Sequence, residues 1–382
     1  MLLSIFIVAL LTSLAGCIAL IHTQHLHARL SMDSSNGVQK FHANPTPRIG
    51  GLPVFLGMVV AALVSQFAHD HVGKLFGGLL LAGLPVFLAG LAEDLTKRVS
   101  PLWRLLAAFA SAGLAAWLSG SILPKLGIPG VDYVLQAFPT VAILFTVFAV
   151  GGVCHSINII DGYNGLMGGV ALFALAAFGY TALAVGDLEL LVLCLAGAGA
   201  IFGFLVWNYP RGLIFAGDAG AYFIGFLLAQ IAVLLVSRHP DAVSPWFPLQ
   251  ILIYPVLETL FSIYRRKKRN VPAGLPDSLH FHQIVYKRLV RWMVGSQEAK
   301  HLTQRNSKTT PYLWGVALFS IMPALLFWKI QWMLQLCAVI FVFVYIWAYR
   351  QLVTFRSPRV LLLHKAYLGL NGKSRKILNK NS

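Results

Sequence analysis

The sequence predicts an all-α polytopic membrane protein of about 11 transmembrane helices, N-terminus out and C-terminus in. Three observations carry that expectation. Of 382 residues, 58% are apolar and 11% charged, with a mean hydropathy of +0.73, whereas a soluble chain carries about 25% charged residues. The apolar residues gather into runs that match the roughly 20 residues a helix needs to cross a bilayer. Of the 30 Lys and Arg residues, 26 fall on one set of alternate loops or at its edge, and only Lys74, Lys125, Arg238 and Lys329 on the other. The basic set is cytoplasmic by the positive-inside rule.

The runs lie near 1–21, 49–67, 76–92, 102–119, 139–156, 166–185, 188–207, 219–236, 247–264, 311–328 and 332–349. The first has no basic leader and no small-residue cleavage site before a secreted domain, so it reads as a retained span. The second follows a rigid lead, Pro45-Thr46-Pro47-Arg48. The third ends in Glu93-Asp94, the fifth runs into an Asn- and Gly-rich turn, and the eighth opens at a Gly-flanked Asp218. The ninth stops at Arg265-Arg266-Lys267-Lys268-Arg269, a pentad that suits acidic headgroups. One transmembrane domain therefore spans 1–349, with a long cytoplasmic loop at 265–310 and a basic cytoplasmic tail at 350–382. Within the loop, Phe281, Val285, Leu289 and Trp292 share one helical face and Lys287, Arg288 and Arg291 another, which predicts an amphipathic helix on the membrane surface. Cys17, Cys154, Cys194 and Cys337 lie in apolar runs without pair spacing, so neither a disulfide framework nor a metal knuckle is expected.

The net charge of +17 points to polyanionic partners, meaning anionic lipid, phosphate groups or nucleic acid. Acids are scarce, and four stand at cytoplasmic span ends: Glu93, Asp94, Asp161 and Asp218. Carboxylates at such boundaries want a partner. Converging from different helices, they would suit Mg²⁺, a hard cation that takes oxygen ligands and is shared with substrate phosphates. Asn158, Asp161 and Asn164 recur every third residue, which on a helical turn aligns three oxygen-bearing side chains. Asp218 opens a span whose free N–H groups favour phosphate. Arg48 can grip an anion through two parallel hydrogen bonds. His280 and His282, two residues apart, are by themselves a poor metal site.

In this order and on these loops, the motifs resemble those of the polyprenyl-phosphate N-acetylhexosamine-1-phosphate transferases, the membrane superfamily of glycosyltransferase family 4. The resemblance runs from His42 to His282. Eleven spans look more like the O-antigen-initiating branch than the ten-span branch that makes lipid I. It implies that Glu93 and Asp94 handle the lipid phosphate. Asn158, Asp161 and Asn164 would line the nucleotide pocket, with Asp161 counted among the catalytic acids. Asp218 is implied as the Mg²⁺ ligand, with Mn²⁺ as an alternative ion. Phe215 would stack on uracil, and His280 and His282 would meet the diphosphate and sugar. Three positions depart from the family pattern: Glu93 replaces an Asp, Asn164 replaces an Asp, and Gln283 stands where relatives carry a further His.

The implied reaction transfers a sugar-1-phosphate from a UDP-N-acetylhexosamine to undecaprenyl phosphate, releasing UMP and starting a lipopolysaccharide or cell-wall polysaccharide at the bacterial inner membrane. Membrane lipids and a second copy of the chain are the other expected partners. Neutral Asn164, two histidines and Gln283 argue for an uncharged sugar, most simply N-acetylglucosamine, or a 6-deoxy relative such as N-acetylfucosamine or N-acetylquinovosamine. A transporter or flippase is the alternative, but transporters place ionisable groups at the bilayer midplane within repeated halves, and only Glu258 lies inside a span. A nucleic-acid partner is not expected, because basic and aromatic residues interleave only on the loop helix.

Overall fold

A computed structural model describes residues 2–33, 45–68, 70–270, 279–290 and 299–354. The chain begins with α1 (Leu2–His22), α2 (Gln24–Ser31), α3 (Gly51–Ala68), α4 (Asp70–Thr96) and α5 (Pro101–Ser119). It continues through α6 (Pro129–Ala137), α7 (Pro139–Ile160), α8 (Leu166–Ala184), α9 (Leu188–Asn208) and α10 (Gly217–Arg238). Then come α11 (Trp246–Ile251), α12 (Ile253–Lys268), α13 (Phe281–Ile284, widening into a π-helical turn at Val285–Val290), α14 (Ala299–Phe327) and α15 (Gln331–Val353). A two-residue antiparallel ladder joins β1 (Met32–Asp33) to β2 (Thr46–Pro47), with Met32 opposite Pro47.

Every apolar run in the sequence falls on helix, and among the described residues nine helices are long and apolar enough to cross a membrane. The two remaining runs differ from expectation. The second run forms α3, a shorter apolar helix. The ninth is broken at Leu252 into α11 and α12. Pro255 accounts for the break: it has no N–H to give Ile251, and its ring collides with that carbonyl.

The bundle is organised around α10, in which every residue from Gly217 to Val236 is buried. It packs against α3, α4, α5, α7, α8 and α9. Close approach depends on residues without side chains. A Cβ on Gly51 would strike the Gly220 backbone, and one on Gly90 would lie 2.6 Å from the Ala219 nitrogen. Small residues of this kind let helices meet backbone to backbone where lipid supplies no hydrophobic drive. Further along, Phe55 stacks on Phe87 at 4.2 Å and both meet Phe223. At the opposite end of α10, Arg238 pairs with Glu189 (2.9 Å) and His239 Nε2 with Asp187 (3.0 Å). Asp187 also accepts from Leu190 N–H, capping α9.

Two expectations for the polar loop change. The helix before the last begins at Ala299, not near 311, so Arg305, Asn306, Thr309 and Thr310 are buried helix residues. Over its described part the loop helix turns Phe281, Ile284, Val285 and Tyr286 into the protein rather than toward lipid. Trp292 and the tail from 355 lie outside the described residues.

Candidate active site

Two Gly-rich motifs far apart in sequence form one structure. Phe215 N–H donates to Pro47 O, and Gly50 and Gly51 N–H donate to the carbonyls of Phe215 and Ala216, all at 2.8 Å. Gly217 then turns the chain into α10 at φ +70°. A Cβ at Gly217 would collide with the Arg48 carbonyl and the Asp94 carboxylate, so only glycine fits. Asp94, fully buried, accepts from Asp218 N–H (2.8 Å) and Ala219 N–H (2.9 Å), one through each oxygen. These N–H groups belong to the first turn of α10 and have no partner within the helix. A carboxylate there is favoured by the helix dipole as well.

That capping aims the Asp218 side chain into a cavity of about 1100 Å³. Asn158 Nδ2 donates to Asp218 Oδ1 (3.0 Å) and Arg104 Nη1 pairs with Oδ2. Arg48 Nη2 lies 3.7 Å from both Asp218 Oδ1 and Asp94 Oδ1. The Arg104 guanidinium also sits over the Tyr222 ring, and the Tyr222 hydroxyl reaches His155 Nδ1 at 3.2 Å. Asp161 stands just beyond α7. Burial pushes its carboxyl up to about 7, and the Asp218 charge adds to the rise while Arg48 opposes it.

Eight of the ten residues singled out by sequence line this cavity: Arg48, Asn158, Asp161, Asn164, Phe215, Asp218, His280 and His282. Asn158, Asp161 and Asn164 do not share a helical face, because α7 ends at Ile160 and a turn follows, with Gly165 at φ +77°. They converge through that turn. Asn208 holds it by accepting from Gly165 N–H (2.6 Å) and donating to Ile214 O (2.8 Å). The early start of α14 closes the other side: Asn306 accepts from Asn164 N–H (2.8 Å), and Thr310 Oγ1 donates to Asn164 O (2.6 Å). The His280 and His282 rings stack, 5.2 Å apart and 7° from parallel.

The remaining two, Glu93 and Asp94, do not line the cavity. Glu93 accepts from Val99 N–H at 2.8 Å, closing the turn after α4, and Asp94 holds α10 from behind. Of the four carboxylates expected to converge, Asp161 and Asp218 line the cavity, and Asp94 meets Asp218 through Arg48 at the cavity's edge. Among the described residues no cluster of three or more His, Cys, Asp and Glu side chains is poised for a metal. Two carboxylates and the Asn158 amide oxygen still suit Mg²⁺, which is commonly held by one or two carboxylates with water and substrate phosphates completing its shell. Zinc, which wants four nitrogen or sulfur ligands in a structural site, does not fit.

Arg104, His155 and Tyr222 belong to the cavity and were missed from sequence. Arg104 was legible only as a basic residue at a span's mouth. Nothing near it in the chain announces Asp218 as its partner.

At its other end the cavity is apolar, walled by α5 (Leu105, Phe109), α7 (Phe148, Val153) and α12 (Val256, Leu260). One cavity thus carries both charged and apolar lining. Glycosyl transferase family 4 matches residues 76–236 of the chain. A probable undecaprenyl-phosphate N-acetylglucosaminyl 1-phosphate transferase of Bacillus subtilis is 28% identical over 249 residues, 64% of this chain and 66% of that protein. An undecaprenyl-phosphate alpha-N-acetylglucosaminyl 1-phosphate transferase of Yersinia pestis is 28% identical over 255 residues, 65% of this chain and 68% of the relative. A phospho-N-acetylmuramoyl-pentapeptide-transferase of Bacillus cytotoxicus is 30% identical over 201 residues, 50% and 61% of the two chains. The chain thus spans about two thirds of the length of these relatives.

Proposed function

We propose that this chain, which belongs to the polyprenyl-phosphate N-acetylhexosamine-1-phosphate transferase superfamily, transfers a sugar-1-phosphate from a UDP-N-acetylhexosamine to undecaprenyl phosphate and releases UMP. The observation that carries this reading is the two-ended cavity. A polar end bearing Arg48, Arg104, Asp161 and Asp218 suits phosphates, and an apolar end between α5, α7 and α12 suits a prenyl chain. A transporter would need a path through the bundle, but the carboxylates here gather at one end of it. With the basic loops in the cytoplasm, that end faces the cytoplasm, eleven segments cross the inner membrane, and the termini lie out and in.

In the proposed reaction an oxygen of the acceptor phosphate attacks the sugar-bearing phosphorus, and the bond to the UMP oxygen breaks. The acceptor's second pKa is about 6, so it arrives largely dianionic and no strong base is required. The obstacle is repulsion between anions. Arg48 and Arg104 face it directly. Asp218, Asp161 and the Asn158 amide oxygen are the groups that would hold Mg²⁺, which when bound supplies two positive charges against the diphosphate. Phe215 offers its ring to the uracil, and His280 with His282 meets the sugar-phosphate end. Asp94 serves the acceptor through the turn it holds, since both its oxygens already accept from α10.

Among the described residues, the neutral amides of Asn164, Gln283 and Asn306 line the same cavity as the histidines, which favours a neutral N-acetylated hexose. Purified protein given undecaprenyl phosphate and mixed UDP-sugars should make a lipid whose mass adds N-acetylhexosamine-1-phosphate. A product from a UDP-uronic acid in preference to UDP-GlcNAc would overturn the sugar assignment. No lipid product with any UDP-sugar would overturn the reaction.

A further inference from the structure

Glu258, on α12, is buried to 1% exposure, and three donors converge on it. His280 Nδ1 and the Phe281 backbone N–H both lie 3.0 Å from Oε1, and the Tyr345 hydroxyl donates to Oε2 at 2.8 Å. Around the pair stand Tyr254 and Arg265 of α12, His282 of α13 and Tyr345 and Tyr349 of α15, with Asp161 lining the same cavity. Arg265 Nη1 donates to the Tyr349 hydroxyl, which donates in turn to Leu279 O, so the chain just before His280 is tied to the same two helices.

A carboxylate that takes an N–H and an O–H from protein is an acceptor, so the His280 nitrogen facing it carries the proton. A ring so held has one tautomer and one orientation, and which nitrogen meets a ligand is decided by what the other nitrogen bonds. The Phe281 bond also caps the first turn of α13, so one carboxylate fixes both the backbone and the ring of the histidine loop.

We propose that Glu258 is a positioning residue for His280, holding Nδ1–H so that Nε2 is the nitrogen presented to the sugar-phosphate end of the donor. This rests on the reading that His280 touches the donor. On the reaction Glu258 acts through the ring it holds, and it contacts no substrate itself.

The test uses the full-length purified protein. Steady-state kinetics with UDP-GlcNAc and undecaprenyl phosphate would compare the parent, Glu258→Gln, His280→Ala, the double variant and Tyr345→Phe. Carboxylates behind ligating histidines are commonly worth about 10- to 100-fold. Glu258→Gln should therefore cut kcat/KM for UDP-GlcNAc by about that factor and leave the KM for undecaprenyl phosphate within about twofold. Added to His280→Ala it should cost nothing more, since coupled residues fail to add. An equal loss from Glu258→Gln in both backgrounds would overturn the proposal in favour of a purely structural clip. An undiminished His280→Ala would instead overturn the premise that His280 meets the donor.

Histidine ¹⁵N NMR gives a readout free of activity. The parent should show His280 protonated at Nδ1 and Glu258→Leu, which leaves no acceptor there, should lose that preference, whereas Tyr345→Phe, which keeps the His280 contact, should retain it. If either Glu258 variant fails to fold, a parent ring with Nδ1 bare is by itself enough to overturn the proposal.

Discussion

Replacing Asp94 by Asn separates two accounts of this residue. From sequence, Asp94 touches the acceptor phosphate, so the variant would lose transfer and keep nucleotide binding. In the structure, Asp94 accepts from the N–H groups of Asp218 and Ala219. Asn has one oxygen, so it keeps one of these bonds and turns an N–H₂ toward the other donor. A hydrogen bond to a charged group is worth about 1.5–3 kcal/mol, and an unsatisfied buried donor costs about 1–3 kcal/mol. The sum, roughly 2.5–6 kcal/mol, falls on the turn that carries Asp218, and the protein can escape it only by letting that turn move. Asp94→Asn should therefore weaken UDP-GlcNAc binding in the presence of Mg²⁺ by at least tenfold and lower the unfolding midpoint, together with losing transfer. Calorimetry on the detergent-purified protein, paired with a thermal melt, measures both. Nucleotide affinity within about twofold of the parent, with an unchanged melt, would refute the capping argument and return Asp94 to the acceptor.

Asp218→Asn keeps shape but removes the charge a cation would need, so turnover should collapse at ordinary Mg²⁺ and respond only weakly to more, as read by UMP release against Mg²⁺ concentration. The Asp161 carboxyl, pushed up to about 7 by burial and by Asp218, is neutral below that pH, so activity that needs its charge should fall as pH drops through about 7 and recover toward lower pH as Mg²⁺ is raised. The same shift makes ionisation oppose folding: from the unfolded value near 3.9 up to about 7, stability should decline with rising pH, and Asp161→Asn should flatten that slope in pH-dependent melts. Gly51→Ala sets a methyl against the Gly220 backbone; overpacking of this kind typically costs about 1–3 kcal/mol, and a melt within experimental error of the parent would contradict the backbone-to-backbone crossing.

What the sequence made legible and what it hid follow from the range of each interaction. Hydropathy is local, so every apolar run was found on helix, and the break at Leu252 was written one turn ahead in Pro255. The early start of α14 was not, because Arg305, Asn306 and Thr310 look like a polar loop until the Asn164 turn gives their side chains partners. At the site, Gly-flanked acids marked Asp218 and the Asn158–Gly165 turn, and Asn158, Asp161, Asn164 and Asp218 line one cavity. The role of Asp94 was hidden because its partners are backbone N–H groups 124 and 125 residues away. Arg104 was missed for the same reason, its acid lying 114 residues on.

The burial of α10 on all sides has a mechanical corollary. Bilayers differ in thickness, and a helix in contact with lipid answers by tilting or by deforming its surroundings, at fractions of a kcal/mol per Å of mismatch. Large apolar side chains exposed toward the bilayer stand on most of the outer helices, such as Leu3, Trp103, Trp117, Phe148, Leu326, Trp332 and Phe343. The helix that carries Asp218 meets none, so strain from a thicker or thinner membrane is taken up in the outer ring before it can shift the carboxylate. Turnover in short-chain and long-chain lipids should then differ through the trough between α5, α7 and α12, where the proposed acceptor's tail would lie, and hardly at all through the affinity for the nucleotide.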